Sequence, residues 1–261
     1  MTTYLDAIVA RHRAQAAADN RSTDELVQVA MEMGPARGFR AALAGATDLA
    51  VISEVKRRSP SKGDLFVDLD PAALAVDYQT AGASCLSVLT DTEAFGGSTE
   101  DLVAARNAVT LPVLRKDFTV SANDVCDARL MGADCVLLIV AALSDGELDE
   151  FSALAAAIGL DALVEVHDEV ELDRALEHTA GDLVGVNQRD LVTFDVDQER
   201  AVRLAAAMPS HTVCVAESGV RGQDDAVVLA AAGYHAVLVG EHLVTADDPI
   251  AALQALRVPR T

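Results

Sequence analysis

The feature that most constrains this chain is a regular alternation of short apolar runs with amphipathic, alanine-rich segments along its 261 residues. Each run is apolar throughout, which is typical of a strand buried on both faces of a parallel sheet. Eight runs are predicted to be strands: Leu49–Val55, Cys85–Leu89, Pro112–Leu114, Cys135–Val140, Ala162–Val166, Leu183–Val186, Thr212–Val215 and Ala236–Val239. Eight segments are predicted to be helices: Pro71–Ala81, Thr99–Ala108, Ala122–Met131, Asp145–Ile158, Glu169–His178, Gln198–Ala207, Asp224–Ala232 and Asp248–Leu256. Eight βα units in this length predict an α/β fold, the (β/α)8 TIM barrel.

The joints between these elements favour the same architecture. Gly82, Gly132 and Gly233 each follow a predicted helix, where a left-handed cap is expected. Ser121 and Ser144 stand where N-caps are expected. The alternative is an open doubly wound sheet, which often carries a Gly-x-Gly-x-x-Gly fingerprint after its first strand. Here the first strand runs into Lys-Arg-Arg-Ser-Pro, so nucleotide binding of that kind is not indicated.

The chain is expected to be a single domain over residues 1–261, with residues 1–45 as extra N-terminal helices. No apolar run approaches the roughly 20 residues that a membrane span needs. The four cysteines form no Cys-x-x-Cys pair and no zinc-ligand spacing. We therefore expect buried free thiols, no metal site, no membrane association and a cytoplasmic location.

The charge of the chain excludes some partners. Acidic residues number 41 against 20 basic ones, which gives a formal net charge of −21. Nucleic acid and anionic membranes are not expected as partners, because both need clustered basic residues. The lysines are Lys56, Lys62 and Lys116, and every other basic residue is arginine. Such an acidic, lysine-poor composition is typical of a halophilic protein, the interpretation that we favour, and is also produced by a GC-rich genome.

Polar residues collect at the predicted carboxyl ends of the strands, where barrel enzymes carry their active sites. One strand-end charge on its own is more often a solvated group, but the concentration of charges here favours an active site. Glu54 and Lys56 are two apart and so share one face of a strand. Glu165 stands between apolar Val164 and Val166. An inward-facing carboxylate within such an apolar strand is not explained by contact with solvent alone. The strand-end residues are Glu54, Lys56, Lys116, Glu165, Asn187, Arg189, Glu217, Ser218 and Glu241.

The positions of the lysines predict proton transfer. Arginine keeps its proton at neutral pH, whereas a lysine can donate one when burial or a neighbouring cation lowers its pKa. Lys116 is the leading candidate for a general acid, with Arg115 or Lys56 as the expected neighbouring cation. Lys62, in the Ser-Pro-Ser-Lys-Gly loop, is more simply a solvated charge.

A basic mouth on an acidic protein predicts a small anionic ligand. Ser218-Gly219 and Gly240-Glu241 follow the last two predicted strands, where this fold often holds a phosphate group. The basic residues expected around the mouth are Lys56, Arg57, Arg58, Lys62, Arg115, Lys116 and Arg189.

Several motifs together resemble the indole-3-glycerol phosphate synthase family. The specific phrases are Lys-x-x-Ser-Pro-Ser from Lys56 and Asn-x-Arg-Asp-Leu from Asn187, in matching order and spacing. The resemblance covers residues from about 4 to about 256, and residues 1 to about 45 resemble the family's extra helices. The stretches that carry it are Gly38–Leu43, Ser53–Gly63, Leu111–Phe118, Leu163–His167, Val186–Leu191 and Val215–Gly219.

The resemblance implies a substrate, 1-(2-carboxyphenylamino)-1-deoxyribulose 5-phosphate, and no metal or organic cofactor. Ring closure with loss of CO2 and water would give indole-3-glycerol phosphate. The implied catalytic residues are Lys116 as general acid on the carbonyl, Glu165 as acid/base of the dehydration, Lys56 at the substrate carboxylate or as a partner in proton transfer, Glu54 and Asn187 as orienting groups, and Ser59, Glu217 and Ser218 completing the site. The implied binding residues are Gly219, Gly240, Glu241, Arg189 and Ser61 for the phosphorylated substrate and Phe95 and Phe118 for its aromatic ring.

Two other interpretations remain open on the sequence. A related phosphate-binding barrel, such as phosphoribosylanthranilate isomerase, would need a cysteine and an aspartate at the carboxyl ends of strands. Cys85 stands at the beginning of its predicted strand, not at the carboxyl end. A barrel without activity that serves in assembly would show a damaged motif, and none is visible. We expect a monomer or a weak homo-oligomer.

Overall fold

The computed structural model describes residues 4–60, 62–190 and 193–260. Within these residues eight parallel strands form a closed barrel, as predicted. Each strand pairs with the next along the chain, and the first pairs with the last through Ala50 and Ala236. The strands are β1 (Ala50–Val55), β2 (Cys85–Leu89), β3 (Val113–Lys116), β4 (Cys135–Ile139), β5 (Asp161–Val166), β6 (Leu183–Asn187), β7 (Val213–Glu217) and β8 (Ala236–Val239).

Helices surround the barrel and precede it. The described helices are α1 (Tyr4–Ala18), α2 (Thr23–Glu32), α3 (Phe39–Ala44), α4 (Pro71–Ala81), α5 (Thr92–Phe95), α6 (Thr99–Ala108), α7 (Ala122–Leu130), α8 (Asp145–Ala157), α9 (Glu169–His178), α10 (Arg200–Ala205), α11 (Gln223–Ala231), α12 (Glu241–Val244) and α13 (Pro249–Leu256). Among the residues described, no helix is both long and apolar enough to cross a membrane.

The boundaries differ from the predicted ones where polar residues take part in the barrel. β3 continues to Lys116, two residues beyond the predicted end, because pairing of its backbone with β2 does not depend on apolar side chains. Conversely, Val140 is apolar but begins a 3₁₀ turn instead of ending β4. The short helix α5, and a two-stranded hairpin that joins Arg58–Ser59 to Gly63–Asp64, were not predicted.

The alternation of side chains along the strands determines where the polar groups point. Ile52, Leu114, Leu163 and Val215 belong to a buried cluster inside the barrel, which Phe39 and Leu43 of α3 also join. Two residues further along the same strands come Glu54, Lys116, Glu165 and Glu217. These four side chains therefore point into the barrel above its apolar filling.

Local signals at the helix ends are confirmed. Gly82, Gly132 and Gly233 have φ angles of 96°, 93° and 96°, the left-handed conformation that glycine adopts without steric cost. The side chains of Ser121 and Ser144 cap α7 and α8. All four cysteines are free and buried.

Helix α1 lies against the loops at the carboxyl end of the barrel. Arg13 Nη1 is 2.7 Å from Glu147 Oε1 at the start of α8, and His12 Nε2 is 2.8 Å from Asp91 Oδ2 after β2. Tyr4 packs edge-on against Phe194, with ring centroids 5.6 Å apart. The N-terminal helix thus joins loops that follow three different strands.

Candidate active site

A cavity of about 580 Å³ opens at the carboxyl ends of the strands. Tyr4, Leu5 and Ile8 of α1 form part of its wall, a contribution that the sequence analysis did not foresee. Ser61, which the sequence also proposed, lies outside the described residues. The predicted site residues that line the cavity are Glu54, Lys56, Ser59, Phe95, Lys116, Phe118, Glu165, Asn187, Arg189, Glu217, Ser218, Gly219, Gly240 and Glu241.

Lys116 stands at the centre of this group. Its Nζ lies 3.2 Å from Glu165 Oε2 and 3.8 Å from Glu217 Oε2. Burial by itself lowers the pKa of the Lys116 ammonium, but the carboxylates of Glu165, Glu217 and Glu54 raise it above its ordinary value. Lys116 therefore carries its proton, which is the form that a general acid requires.

The expected cause of a lowered lysine pKa was wrong. Arg115 points away from the interior, where its Nη1 donates to the carbonyl of Asp124 at 2.9 Å and its Nη2 lies 3.1 Å from Asp117 Oδ2. Lys56 is paired with Glu54, which neutralises it. Residues adjacent in sequence on a strand point to opposite faces, so the charge next to Lys116 in the chain is not its neighbour in space.

Glu165 is only 1% exposed, and polar groups engage both of its carboxylate oxygens. Oε2 faces Lys116, while Oε1 accepts a hydrogen bond from Asn187 Nδ2 at 3.2 Å and lies 3.5 Å from His167 Nε2. Burial alone raises the pKa of this carboxyl group, but Lys116, His167 and Asn187 together lower it below its ordinary value. Glu165 is therefore ionised and can act as a base.

Glu217 is also a buried carboxyl group, but its pKa is raised and not lowered. Burial, together with the nearby charge of Glu165 and Glu54, raises the pKa of Glu217 to about 8. Its Oε1 has no hydrogen-bond partner among the described residues. Two neighbouring carboxyl groups whose pKa values move apart can divide acid and base roles.

Glu54 and Lys56 lie on one face at the end of β1, as their spacing predicted, and they form an ion pair there. Gly240, after β8, closes over this pair. A Cβ at residue 240 would collide with Glu54 Oε1 and lie 3.0 Å from Lys56 Nζ. The absence of a side chain at Gly240 therefore makes room for the ion pair.

The basic mouth is smaller than predicted. Arg57 and Arg58 do not line the cavity: Arg57 pairs with Asp101, and Arg58 donates to the carbonyl of Thr92 at 2.9 Å. Like Arg115, these arginines fasten loops instead of facing a ligand. The basic residues that do line the cavity are Lys56, Lys62, Lys116, Arg189 and Arg221. Arg221 was missed because it lies four residues beyond the end of β7.

The backbone after β7 bends sharply at Ser218 and Gly219, which have φ angles of 64° and 75°. Gln188 Nε2 donates to the Ser218 carbonyl at 2.8 Å, and Gln198 Nε2 donates to the Gly219 carbonyl at 2.9 Å. A Cβ on Gly219 would collide with Val196. The two glutamines and the missing side chain hold this turn against the cavity.

Two aromatic rings form an apolar part of the cavity wall. The ring centroids of Phe95 and Phe118 are 6.4 Å apart, and their planes are inclined by 32°. Phe95 belongs to the short helix α5, and Phe118 follows β3. This arrangement suits a flat aromatic ligand.

No cysteine of the described chain lines the cavity. Cys85, the residue nearest to the isomerase interpretation, starts β2 inside the barrel, and burial raises the pKa of its thiol well above the ordinary value. A thiol acid or base at this site is therefore not supported.

Comparison with known proteins identifies the family. The family model described as indole-3-glycerol phosphate synthase matches residues 5–256. The chain belongs to the indole-3-glycerol phosphate synthase family. Proteins named indole-3-glycerol phosphate synthase from Paenarthrobacter aurescens and an Arthrobacter species are 51% and 49% identical to it. The first alignment covers 87% of this chain and 85% of the relative, and the second covers 95% and 93%.

A relative of lower sequence identity matches over almost the whole chain. The Acinetobacter baumannii synthase is 44% identical over 97% of this chain and 95% of its own length. Among solved structures, thiamine phosphate pyrophosphorylase from Pyrococcus furiosus superposes with a TM-score of 0.60 over 83% of this chain and 95% of its own. At 16% identity this second likeness supports the barrel fold alone.

Proposed function

We propose that this chain catalyses the family's reaction with Lys116 as general acid and Glu165 as acid and base. The substrate 1-(2-carboxyphenylamino)-1-deoxyribulose 5-phosphate closes a ring and loses CO2 and water to give indole-3-glycerol phosphate, a step of tryptophan biosynthesis. The activity is that of a carbon–carbon lyase. The observation that carries these assignments is the contact of Lys116 Nζ with Glu165 Oε2, at 3.2 Å, inside the cavity.

Ring closure needs a proton donor at the substrate's carbonyl oxygen. The new bond joins the carbonyl carbon to the ring carbon that bears the carboxylate, and CO2 leaves from that ring carbon. Lys116 holds a proton at the right place, and the negative charge that grows on the oxygen draws the proton across. The carbonyl oxygen replaces Glu165 as the partner of Lys116, so substrate binding releases the glutamate for the next step.

Dehydration needs a second group that can both remove and return a proton. Glu165 is ionised, buried and oriented by Asn187 Nδ2 at 3.2 Å. It removes a proton from the new ring and delivers one to the departing hydroxyl group, which leaves as water. Glu54 and Glu217 complete the polar side of the site, with Ser59 at its rim.

The two anionic ends of the substrate need separate places. Lys56 is assigned to the carboxylate, beside the aromatic wall of Phe95 and Phe118. The phosphate group is assigned to the backbone of Ser218-Gly219 and Gly240, with Arg189 as its cation. The side chain of Glu241 is directed to Lys62, 3.6 Å away, so this position is expected to contribute backbone only.

The proposal extends to the domain organisation, the cellular location and the partners of the enzyme. Residues 1–261 act as one domain, because the extension over residues 1–45 supplies wall residues to the cavity. Four free, buried thiols support a reducing, cytoplasmic location. No nucleic acid or membrane partner is expected, and the chain is proposed to be a monomer or weak homo-oligomer, which size-exclusion chromatography with light scattering would measure.

A fluorescence assay tests the proposed function. The chain contains no tryptophan, so indole fluorescence that appears on addition of the substrate comes from product. The expected result is turnover by the native protein and a kcat lower by about 100-fold or more in Glu165→Gln. Absence of turnover by the native protein, or full turnover by the variant, would contradict the proposal. Phosphoribosylanthranilate in place of the substrate serves as the comparison and should not react.

A further inference from the structure

His167 lies next to the proposed acid/base and has no assigned role. It follows β5, two residues after Glu165, so both side chains lie on the same side of the chain. Its Nε2 is buried, makes no hydrogen bond among the described residues, and lies 3.5 Å from Glu165 Oε1. A bare ring nitrogen beside a carboxylate calls for an explanation.

Glu171 fixes the orientation of the ring. Its Oε2 accepts from the backbone N–H of His167 at 2.8 Å and from the ring Nδ1 at 2.9 Å. Glu171 is itself held in the first turn of α9, since Asp168 Oδ1 accepts from its backbone N–H at 2.8 Å. Nδ1 is therefore the donor to Glu171, and Nε2 is the atom whose proton comes and goes.

The distance between Nε2 and Oε1 is favourable only when a proton lies between them. With both atoms unprotonated, two lone pairs face each other in a buried setting. Burial lowers the pKa of His167, but the hydrogen bond to Glu171 and the charge of Glu165 raise it above its ordinary value, and Arg200 acts in the opposite sense. From the other side, Lys116 and Glu217 face Glu165.

We infer that His167 is a positioning residue for Glu165: the Glu171–His167 pair presents an N–H to Glu165 Oε1 and keeps that carboxylate ionised and correctly rotated. This inference rests on the proposed function of Glu165. It also supplies what the mechanism needs after substrate binding. Once the substrate has taken Lys116 as its partner, His167 is the cation that still accompanies Glu165.

The first experiment follows the protonation of His167 directly. NMR titration of the imidazole C–H signals resolves the six histidines, and the signal lost in His167→Gln identifies the residue. We expect its titration midpoint to fall in Glu171→Gln and also in Glu165→Gln. An unchanged midpoint in Glu165→Gln would overturn the inference, whatever the enzyme's activity.

The second experiment measures kcat against pH for His167→Gln and Glu171→Gln, which both retain Glu165. Removing the cation raises the pH that Glu165 needs for ionisation, so kcat of His167→Gln on the acid limb should fall about tenfold, the effect of a one-unit displacement. In Glu171→Gln the alkaline limb should move to lower pH, because His167 loses its proton sooner. The control is His178→Gln at the end of α9, where His178 faces Asp149 on the surface at 3.3 Å.

The outcomes separate the two ideas. A kcat reduced equally at every pH in His167→Gln would make His167 merely structural and overturn the inference. Full turnover by Glu165→Gln would instead contradict the proposed function. A thermal melt of each variant confirms that it is folded, and His167→Asn gives a second neutral substitution with a smaller side chain.

Discussion

At the residue scale, Lys116 is a protonated side chain close to the carboxyl groups of Glu165, Glu217 and Glu54. Lys116→Arg keeps the positive charge and the ion pairs, but a guanidinium does not give up its proton at neutral pH. We expect kcat to fall by about 10²–10⁴-fold with the fold retained. The assay is steady-state fluorescence, with circular dichroism as the check on folding. The matched control is Arg203→Lys on α10, an exposed partner of Asp197, which should leave kcat unchanged.

Glu165 differs from Lys116 in the step that it serves. Glu165→Gln keeps the shape and the hydrogen bond from Asn187 but removes the base. We expect kcat to fall by about 100-fold or more while KM changes little, because the interaction is made during reaction and not during binding. Measuring kcat and KM side by side decides this. A large rise in KM with normal kcat would mean that Glu165 only binds.

Glu217 predicts an unusual dependence of stability on pH. Its pKa is raised to about 8 in the folded protein, so between the ordinary carboxyl range and pH 8 the folded state holds a proton that the unfolded state has lost. The free energy of unfolding therefore falls as pH rises through this window, by at most about 1.4 kcal/mol per pH unit for one proton. Glu217→Gln should reduce that slope, which urea unfolding at pH 5, 6, 7 and 8 would show. Parallel slopes for both proteins would contradict the assignment.

The sequence located these side chains but not their environments. The predicted strand ends place Glu54, Lys116, Glu165 and Glu217 at the carboxyl end of the barrel, and the cavity contains all four. The pKa shift of Lys116 was predicted with the wrong sign, because that shift depends on which charges meet across the barrel. Such neighbours come from strands far apart in the chain, so no local pattern reports them.

At the element scale, the junction of β8 and α12 is matched to the end of β1. A methyl group on residue 240 would meet the Glu54–Lys56 pair, so Gly240→Ala should displace those side chains. We expect kcat/KM to fall by about 100-fold, the effect of a displacement of the order of 1 Å at a reacting site. Gly146→Ala is the control, since no described atom lies within 4 Å of a Cβ there.

That control has an expectation of its own. Gly146 lies in the first turn of α8, where alanine is the better helix former, so the variant should keep full activity and gain up to about 1 kcal/mol of stability. Activity loss in both glycine variants would show that the assay reports general damage and not the β8 junction.

Secondary-structure elements were predicted well where a long apolar pattern defines them. They were predicted poorly where they are short and lie beside the cavity. The core strands and the larger helices follow from burial, which periodicity records. The short helix α5 and the hairpin of Arg58–Ser59 with Gly63–Asp64 were missed because each is only a few residues long, too short to show a periodicity. Helix α1 was predicted as an extension, but nothing in its pattern reveals that Tyr4 and Ile8 face the cavity.

At the scale of the whole molecule, the net charge of −21 predicts a response to salt. The Debye length is about 30 Å at 0.01 M and about 3 Å at 1 M salt, so salt removes repulsion between surface carboxylates. We expect the Tm to rise throughout a KCl series up to multimolar salt. The kcat/KM should level off or pass through a maximum, because salt also weakens capture of the anionic substrate. A Tm that stays flat or falls would favour genome composition as the source of the missing lysines.

The closed barrel joins segments that are far apart in the sequence, which affects the order in which its parts can assemble. Arg13 of α1 pairs with Glu147, which lies 134 residues further along the chain, and β1 pairs with β8 to close the barrel. Neither contact can form before the later residue has been synthesised. On the ribosome the first helix is therefore made long before its docking surface exists. Contacts of such long range form late in folding because the loops that they close are large. The cavity wall contributed by α1 also needs Phe194, against which Tyr4 packs. A chain made only as far as Glu165 therefore holds Lys116 and Glu165 without the enclosure in which they work.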